Sequence, residues 1–424
     1  MSKTTATPAL ENDPDLDLRF GEEGILRPET TQQGDVRAIL LHDGDSFSLA
    51  MTLEDGRYQY DRASADGRPI AGFAATVKQF APDATFYPTR LLHQADKIIM
   101  LGTVKDNNNV SRPGITRFNA SGTPDLVFGH VTPGAPPAEA TTPRFEYKQA
   151  DGCVQKNDQK ILIAFAYKTG VDNSSEFVSQ LTRLEVDGKE DTTFGDAGSI
   201  DLKFGEGHTY APLVQLQGDK IIVAGCHIEA SRRELMLARY DMDGSLDKSF
   251  GNEGFARMDS AVDALPNWLG EHEGKLWVAG HETGTERRAL LTRFDADGHP
   301  DVSFNGGQPL LTVNEHSFEG WRVGIAQDDG GIIVLGSTTA TEQDEKIIKE
   351  IKRTPSPSHV IQRFTHDGKP DLSREWTQKT GYVTDAAMQT STRLIVAVKY
   401  WLLPEPKDYP KVLGVLTGPN KSRS

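Results

Sequence analysis

One short block returns along the chain, and its recurrence limits the possible fold more than any other property. It is clearest as LARYDMDGSLDKSFGNEG at 237–254 and LTRFDADGHPDVSFNGG at 291–307. Aligned on the turn glycine, the copies fall at Gly67, Gly122, Gly188, Gly244, Gly298 and Gly368. Five residues before each glycine stands an arginine: Arg62, Arg117, Arg183, Arg239, Arg293 and Arg363. Three residues after it stands an aspartate in five copies, Asp125, Asp191, Asp247, Asp301 and Asp371, while the first copy has Ile70. Six residues after it stands Phe73, Phe128, Phe194, Phe250 or Phe304, with Arg374 in the sixth copy. Such periodicity means one supersecondary unit used many times, each burying its apolar face against its neighbours.

The unit is built of strands. Ahead of each copy runs a short stretch of branched and aromatic residues, among them KIIMLGTV, KILIAFAY, KIIVAGCH, KLWVAGHE and GIIVLGST, and counting SFSLAMTL and RLIVAVKY there are seven. Asp-Gly between two β-rich runs marks a hairpin. The fourth unit reads as strand A PLVQLQ, B KIIVAG, C ELMLARY and D GFARMD. Four-stranded units of this size stack around an axis as propeller blades. The seventh unit has its B and C runs but no turn and no D strand after them, while DLRFGEEGILRPE near the N-terminus carries Asp17, Phe20, Gly21 and Gly24 in the turn's spacing. A strand from the N-terminus is therefore expected to complete the last blade, which removes an open sheet edge. The expected fold is all-β: a seven-bladed propeller over residues 15–418, with 15–30 completing blade seven and an insertion at 341–358 in blade six. Residues 1–14 are expected to form a flexible tail and 419–424 a C-terminal one.

The pattern KIIVAG…LARYDMDGSLDKSFGNEG resembles the delta-60 repeat, a bacterial β-propeller repeat family whose molecular role is not established. The likeness runs from about Asp15 to about Gly418, strongly in units four and five and weakly in units one, six and seven. It implies a fold and supplies no catalytic residues.

The aspartates around the turn look at first like a calcium loop, but they lack the later bidentate acid and the spacing of an EF-type loop. An arginine also keeps a constant lead over the last aspartate, and a guanidinium would compete with a cation for that carboxylate. Asp-Gly then makes the turn, and the pairs Arg117 with Asp125, Arg183 with Asp191, Arg239 with Asp247, Arg293 with Asp301 and Arg363 with Asp371 read as structural. Function belongs where the units differ: on the face carrying the D-to-A and B-to-C loops.

On that face Tyr87, Tyr210 and Trp321 stand ten residues before strand B of their units, and Trp268 and Tyr382 fall near the same place. Aromatics there would ring the mouth of the central channel, where a sugar or peptide could stack; the competing reading is packing between blades. The same loops supply His208, His227, His281, Glu282, Glu315, His316 and Glu319. No metalloprotease, phosphate-loop, nucleophile-elbow or dinucleotide motif occurs, and no metal site or cofactor is expected. TEQDEKIIKEIKRTPSPS at 341–358 pairs Glu345 with Lys349 and aligns Ile347, Ile348 and Ile351 as a short amphipathic helix, ended by Pro355 and Pro357.

Charge narrows the partners. Asp and Glu number 61 against 46 Lys and Arg, a net charge of −15 at pH 7, which disfavours nucleic acid because such binders neutralise phosphates with basic side chains. The two cysteines, Cys153 and Cys226, cannot build a disulfide framework or a thiolate metal site. No signal peptide or membrane-length apolar run is evident, so the protein is expected to be cytoplasmic or exported without a cleaved signal, with no membrane insertion. The reading favoured is a non-catalytic module binding a protein or glycan; the alternative is a hydrolase or lyase acting on a saccharide at the channel mouth.

Overall fold

The computed structural model describes residues 16–30, 32–108, 110–134, 140–141, 150–169, 176–230, 232–258, 262–283, 288–313, 318–338, 359–376, 382–399 and 411–417. The expected tails and the 341–358 insertion with its proposed helix lie outside them, as do Glu315 and His316.

Seven antiparallel sheets follow one another around an axis, each packed on the next and the seventh on the first. Their inner A strands are Gly34–Leu41, Ala84–Gln94, Ala150–Val154, His208–Gln217, Ala264–His272, Phe318–Ala326 and Tyr382–Thr390. Blade 4 shows the unit: strand A pairs with B, Lys220–Glu229, then C, Arg232–Tyr240, then the short D, Phe255–Arg257. Strand B is buried along nearly its whole length, as in Ile221 to Cys226, because both of its faces meet a neighbouring blade. That explains why the B runs read as continuous apolar stretches instead of alternating ones.

Blade 7 takes its outer strand from the N-terminus. Ile25–Leu26 pairs antiparallel with strand C, Lys411–Leu416, in the register Ile25 to Leu413 and Leu26 to Val412. Leu16 bridges to Val415, and the amides of Asp17 and Gly414 bond to the carbonyls of Gly414 and Gly24 at 2.9 Å. Leu16, Ile25 and Leu26 are at most 5% exposed, so the segment is apolar core as well as sheet.

The repeated glycine and phenylalanine join different blades. The edge of Phe20 lies under the turn glycine of blade 1, Gly67, and Phe73, Phe128, Phe194, Phe250 and Phe304 lie under Gly122, Gly188, Gly244, Gly298 and Gly368 of the following blades. Gly298 shows why no other residue serves: its φ is +86°, and a Cβ there would stand 2.7 Å from the Phe250 ring. The amide after the phenylalanine completes the junction, as Gly21 N to Asp66 O at 2.7 Å and Gly251 N to Asp297 O at 2.7 Å.

Among the described residues the seam between blades 6 and 7 carries no such junction. Blade 6 has Arg374 in place of the phenylalanine, and its strand C, His359–Phe364, folds straight back onto D, Pro370–Trp376. That seam is apolar instead: Val323, Ile333, Leu335 and Ile361 pack with Val383, Leu394, Val396 and Val398, joined by Leu16 and Ile25 of the closing segment.

Removing residues 1–30 is expected to bare the edge of the Lys411–Leu416 strand, with aggregation by light scattering and a lower melting temperature. Ile25→Asp, which places an unpaired charge in the core, should lose at least about 3 kcal/mol in denaturant unfolding. A truncated protein that melts like the full chain contradicts this closure.

Candidate functional site

The two faces of the ring carry different chemistry. On the corner face, where strands A turn into B and C into D, the repeated aspartate of blades 2 to 5 sits between two cations. Asp125 accepts from Lys97 Nζ at 2.6 Å and lies 2.8 Å from Arg117. Asp191 lies 2.7 Å from Lys160 and 2.6 Å from Arg183. Asp247 lies 3.2 Å from Lys220 and 2.8 Å from Arg239, and Asp301 lies 3.0 Å from Lys275 and 2.8 Å from Arg293. These arginines and aspartates are all buried. Arg363 also pairs with Asp371, but near the surface and shared with Asp329. Blade 7 solves the same problem with another residue: Gly414 occupies the arginine's place in strand C, and Arg393 from strand B reaches Asp17 at 3.1 Å.

In blades 1 to 5 the guanidinium does two further things. Its carbon lies over the phenylalanine of its own corner, 4.4 Å from the ring centroid for Arg117 and Phe128 and 4.7 Å for both Arg183 with Phe194 and Arg239 with Phe250. Its Nη1 donates to the turn of the next blade: Arg62 to Ala120 O at 3.2 Å, Arg117 to Val186 O at 2.6 Å and Arg239 to Ala296 O at 2.8 Å. The carboxylates of Asp125, Asp191, Asp247 and Asp301 are thus already met by ammonium and guanidinium groups.

The loop face is irregular. Strand A carries a β-bulge in blades 1, 2, 4, 5, 6 and 7, and a bulge re-aims the side chain it inserts. The inserted residues include Arg37, Thr89, Asn267, Arg322 and Thr384. Gly225 of strand B makes the bulge possible in blade 4, since a Cβ there would collide with the Tyr210 carbonyl and Ala211. None of the inserted side chains announces itself in sequence; the glycine closing the A-G of the B run is the only signal of the bulge beside it.

The five aromatics chosen from the sequence divide into two kinds. Trp321 is fully buried and Tyr210 is 5% exposed: Trp321 packs edge-to-face on Phe364 at 6.4 Å, and Tyr210 on Phe177 at 5.7 Å. Neither ring presents a face to a ligand here. Trp268 is half-buried, with its indole against Gly324 of the next blade. Tyr87 and Tyr382 are also part-exposed. Arg37 lies over Tyr87, 4.9 Å from the ring centroid, and Tyr382 stands opposite Lys399 in the blade 7 ladder.

Among the described residues the candidate histidines gather with no acid or thiol into a metal-sized group. His281 is 7% exposed, with Asn267 Nδ2 3.3 Å from its Nδ1 and 2.9 Å from the Trp321 carbonyl. His227 lies beneath Gly205 and Gly207, with Nε2 3.7 Å from Glu229. His208 begins strand A of blade 4, half-buried. Glu282 is clasped by Arg288 at 2.7 and 2.8 Å, which holds its carboxyl below the usual range. Among the described residues no group of three or more His, Cys, Asp or Glu is placed to hold a metal ion. Cys153 and Cys226 are both buried free thiols, pushed up to about 12 chiefly by burial. No helix among these residues is long and apolar enough to cross a membrane.

Residues 94–128, 217–250 and 274–304 match a family described as a β-propeller domain of unknown function (DUF5122). These are the B-to-corner segments of blades 2, 4 and 5, and the match supports a β-propeller repeat family. No curated protein matches the chain in sequence. Among solved structures, the full extracellular region of plexin A4 is similar at 11% identity and a TM-score of 0.50, over 93% of this chain and 40% of that one. YCF48 from Cyanidioschyzon merolae is similar at 10% identity and a TM-score of 0.45, over 92% and 98% of the two chains. The polysaccharide lyase Uly1 is similar at 10% identity and a TM-score of 0.49, over 93% and 92%. At such identities the plexin likeness is one of fold alone.

The corner carboxylates make stability depend on acid. Lys97 is the largest cause holding Asp125 down at about 2. At Asp301, burial is the largest single effect and pushes the pKa up, but Ser303 and Lys275 outweigh it and hold the group at about 2. Asp191, where burial is likewise outweighed, chiefly by Lys160, and Asp247, led by the Ser249 hydroxyl, lie lower still. A depressed folded pKa contributes stability above the unfolded value of about 3.9 and loses it as pH falls through the folded one. The melting temperature is expected to fall between about pH 4 and pH 2, and Asp125→Asn should flatten that fall while lowering stability at pH 7. An unchanged acid profile in the variant contradicts the pairing.

Proposed function

We propose that the protein is a non-catalytic binding module that recognises a protein or glycan through the irregular face of its propeller, and that its repeat is of the delta-60 type. The observation that carries this reading is the contrast between the faces. Corner residues recur from blade to blade and are consumed in contacts within the ring, whereas Tyr87, Tyr382 and His208 have no equivalent in every blade and keep part of their surface exposed. Loops and strand ends on a rigid scaffold are where binding residues gather. The opposing reading, a saccharide hydrolase or lyase, needs a pair of acid and base groups. Glu282 is tied to Arg288 and His281 is buried beside Asn267, so that reading rests on Glu315 and His316, outside the described residues.

The test compares variants on the two faces in a glycan array and in binding to candidate proteins, with hydrolase and lyase assays alongside. Tyr87→Ala with Tyr382→Ala should abolish binding, and Leu126→Ser on the corner face should retain it, with no turnover from any variant. Turnover in the parent that disappears in Glu315→Gln or His316→Ala contradicts the reading, as does binding that survives loss of both tyrosines.

A further inference from the structure

In a chain of net charge −15, the inner rim of blades 7 and 1 brings two cations to one carboxylate. Lys399, the last residue of the strand Arg393–Lys399, lies 3.3 Å from Asp35, and Arg37 approaches the same carboxylate at 3.9 Å, outside hydrogen-bond range. The three side chains are 23–30% exposed. Arg37 is the residue that the blade 1 bulge inserts, and its guanidinium is stacked on Tyr87 of blade 2. Blade 6 inserts Arg322 at the corresponding bulge. Tyr382 stands beside Lys399 at the start of the adjoining strand.

These positions are a consequence of the ring and not of one segment. Thr384 bonds the Val36 carbonyl at 2.7 Å and Asp385 accepts from Ile39 N at 2.8 Å, so the A strands of blades 7 and 1 are fastened side by side just below the rim. A guanidinium held over a tyrosine ring is oriented before any ligand arrives. Stacked arginine, a lysine close by and two part-exposed tyrosines suit a ligand that joins a carboxylate to a flat C–H surface. An acidic peptide supplies the carboxylate without that ring, and a neutral sugar supplies the ring without the charge.

We propose that the rim formed by blades 6, 7, 1 and 2 binds an acidic saccharide of the uronate class. Arg37 and Lys399 receive the carboxylate, Tyr87 and Tyr382 lie against the pyranose, and Arg322 meets the next acidic unit along the chain. The assignment rests on the loop-face reading above and narrows it to a ligand class.

Calorimetry at low salt tests it with tetragalacturonate, its methyl ester, a neutral tetrasaccharide and tetraglutamate. Tetragalacturonate is expected to bind, with affinity falling by about tenfold or more in Arg37→Gln and in Lys399→Gln and on methyl esterification. Lys248→Gln, on the corner face, should leave it unchanged, and rising salt should weaken it. Arg37→Lys, which keeps the charge and loses the planar fork, should fall between, and thermal melts of every variant separate binding loss from unfolding. Equal binding of acid and ester, or of tetraglutamate and tetragalacturonate, overturns the proposal. A neutral glycan or protein ligand that Tyr87→Ala abolishes and Arg37→Gln spares also overturns it but leaves the binding-module reading standing, whereas no ligand on either test removes both.

Discussion

Among the described residues, every blade but the sixth is held to the next by a phenylalanine edge lying under a glycine turn. The Phe250 ring occupies the space that a side chain on Gly298 would need, and Arg239 ties the two elements by stacking on that ring while donating to Ala296 in the same turn. The buried charge this requires is neutralised locally by Asp247, which Lys220 meets from the other side. Burying a guanidinium without such a partner would cost several kcal/mol, about 3–5 when one member of a buried pair is removed. Arginine, aspartate, phenylalanine and glycine therefore recur as a set because each one's place depends on the others.

The same logic explains how the ring closes. Phe20 and Asp17 come from the N-terminal segment and supply blade 7 with the corner its own C strand lacks, Phe20 seated under Gly67 of blade 1. The space for Phe20 comes from Gly414, whose missing side chain would otherwise meet the ring at about the Cβ–Cγ bond, 2.5–2.6 Å away. One seam is built differently. Between blades 6 and 7 the described residues pack chiefly by aliphatic contact around Val323, Val383 and Ile25, with Val383 N donating to Ser337 Oγ at 3.0 Å, and apolar packing is less directional than the corner junctions.

Architecture was more legible in the sequence than the site was, for identifiable reasons. Blade number, strand order and the borrowed outer strand follow from repeats whose residue types have one structural use. The direction of the junction does not: Phe250 and Gly298 lie in different copies, and aligning copies hides which copy touches which. Tyr87, Tyr210 and Trp321 share one sequence offset, yet Trp321 is sealed by Phe364 and the strand beside it while Tyr87 stays part-exposed. Arg37 carries no motif at all, because a bulge is a property of how two strands pair and not of the inserted residue.

If the recurring residues serve as junctions between blades, then Phe250 and Gly298 must be energetically coupled although they belong to different repeats. The direct measurement is a double-mutant cycle in denaturant unfolding with Phe250→Ala, Gly298→Ala and both together. The account requires the penalty of Gly298→Ala to shrink by about 1 kcal/mol or more once the Phe250 ring is gone. Penalties that simply add, within about 0.3 kcal/mol, would mean the two residues act separately and would contradict the junction.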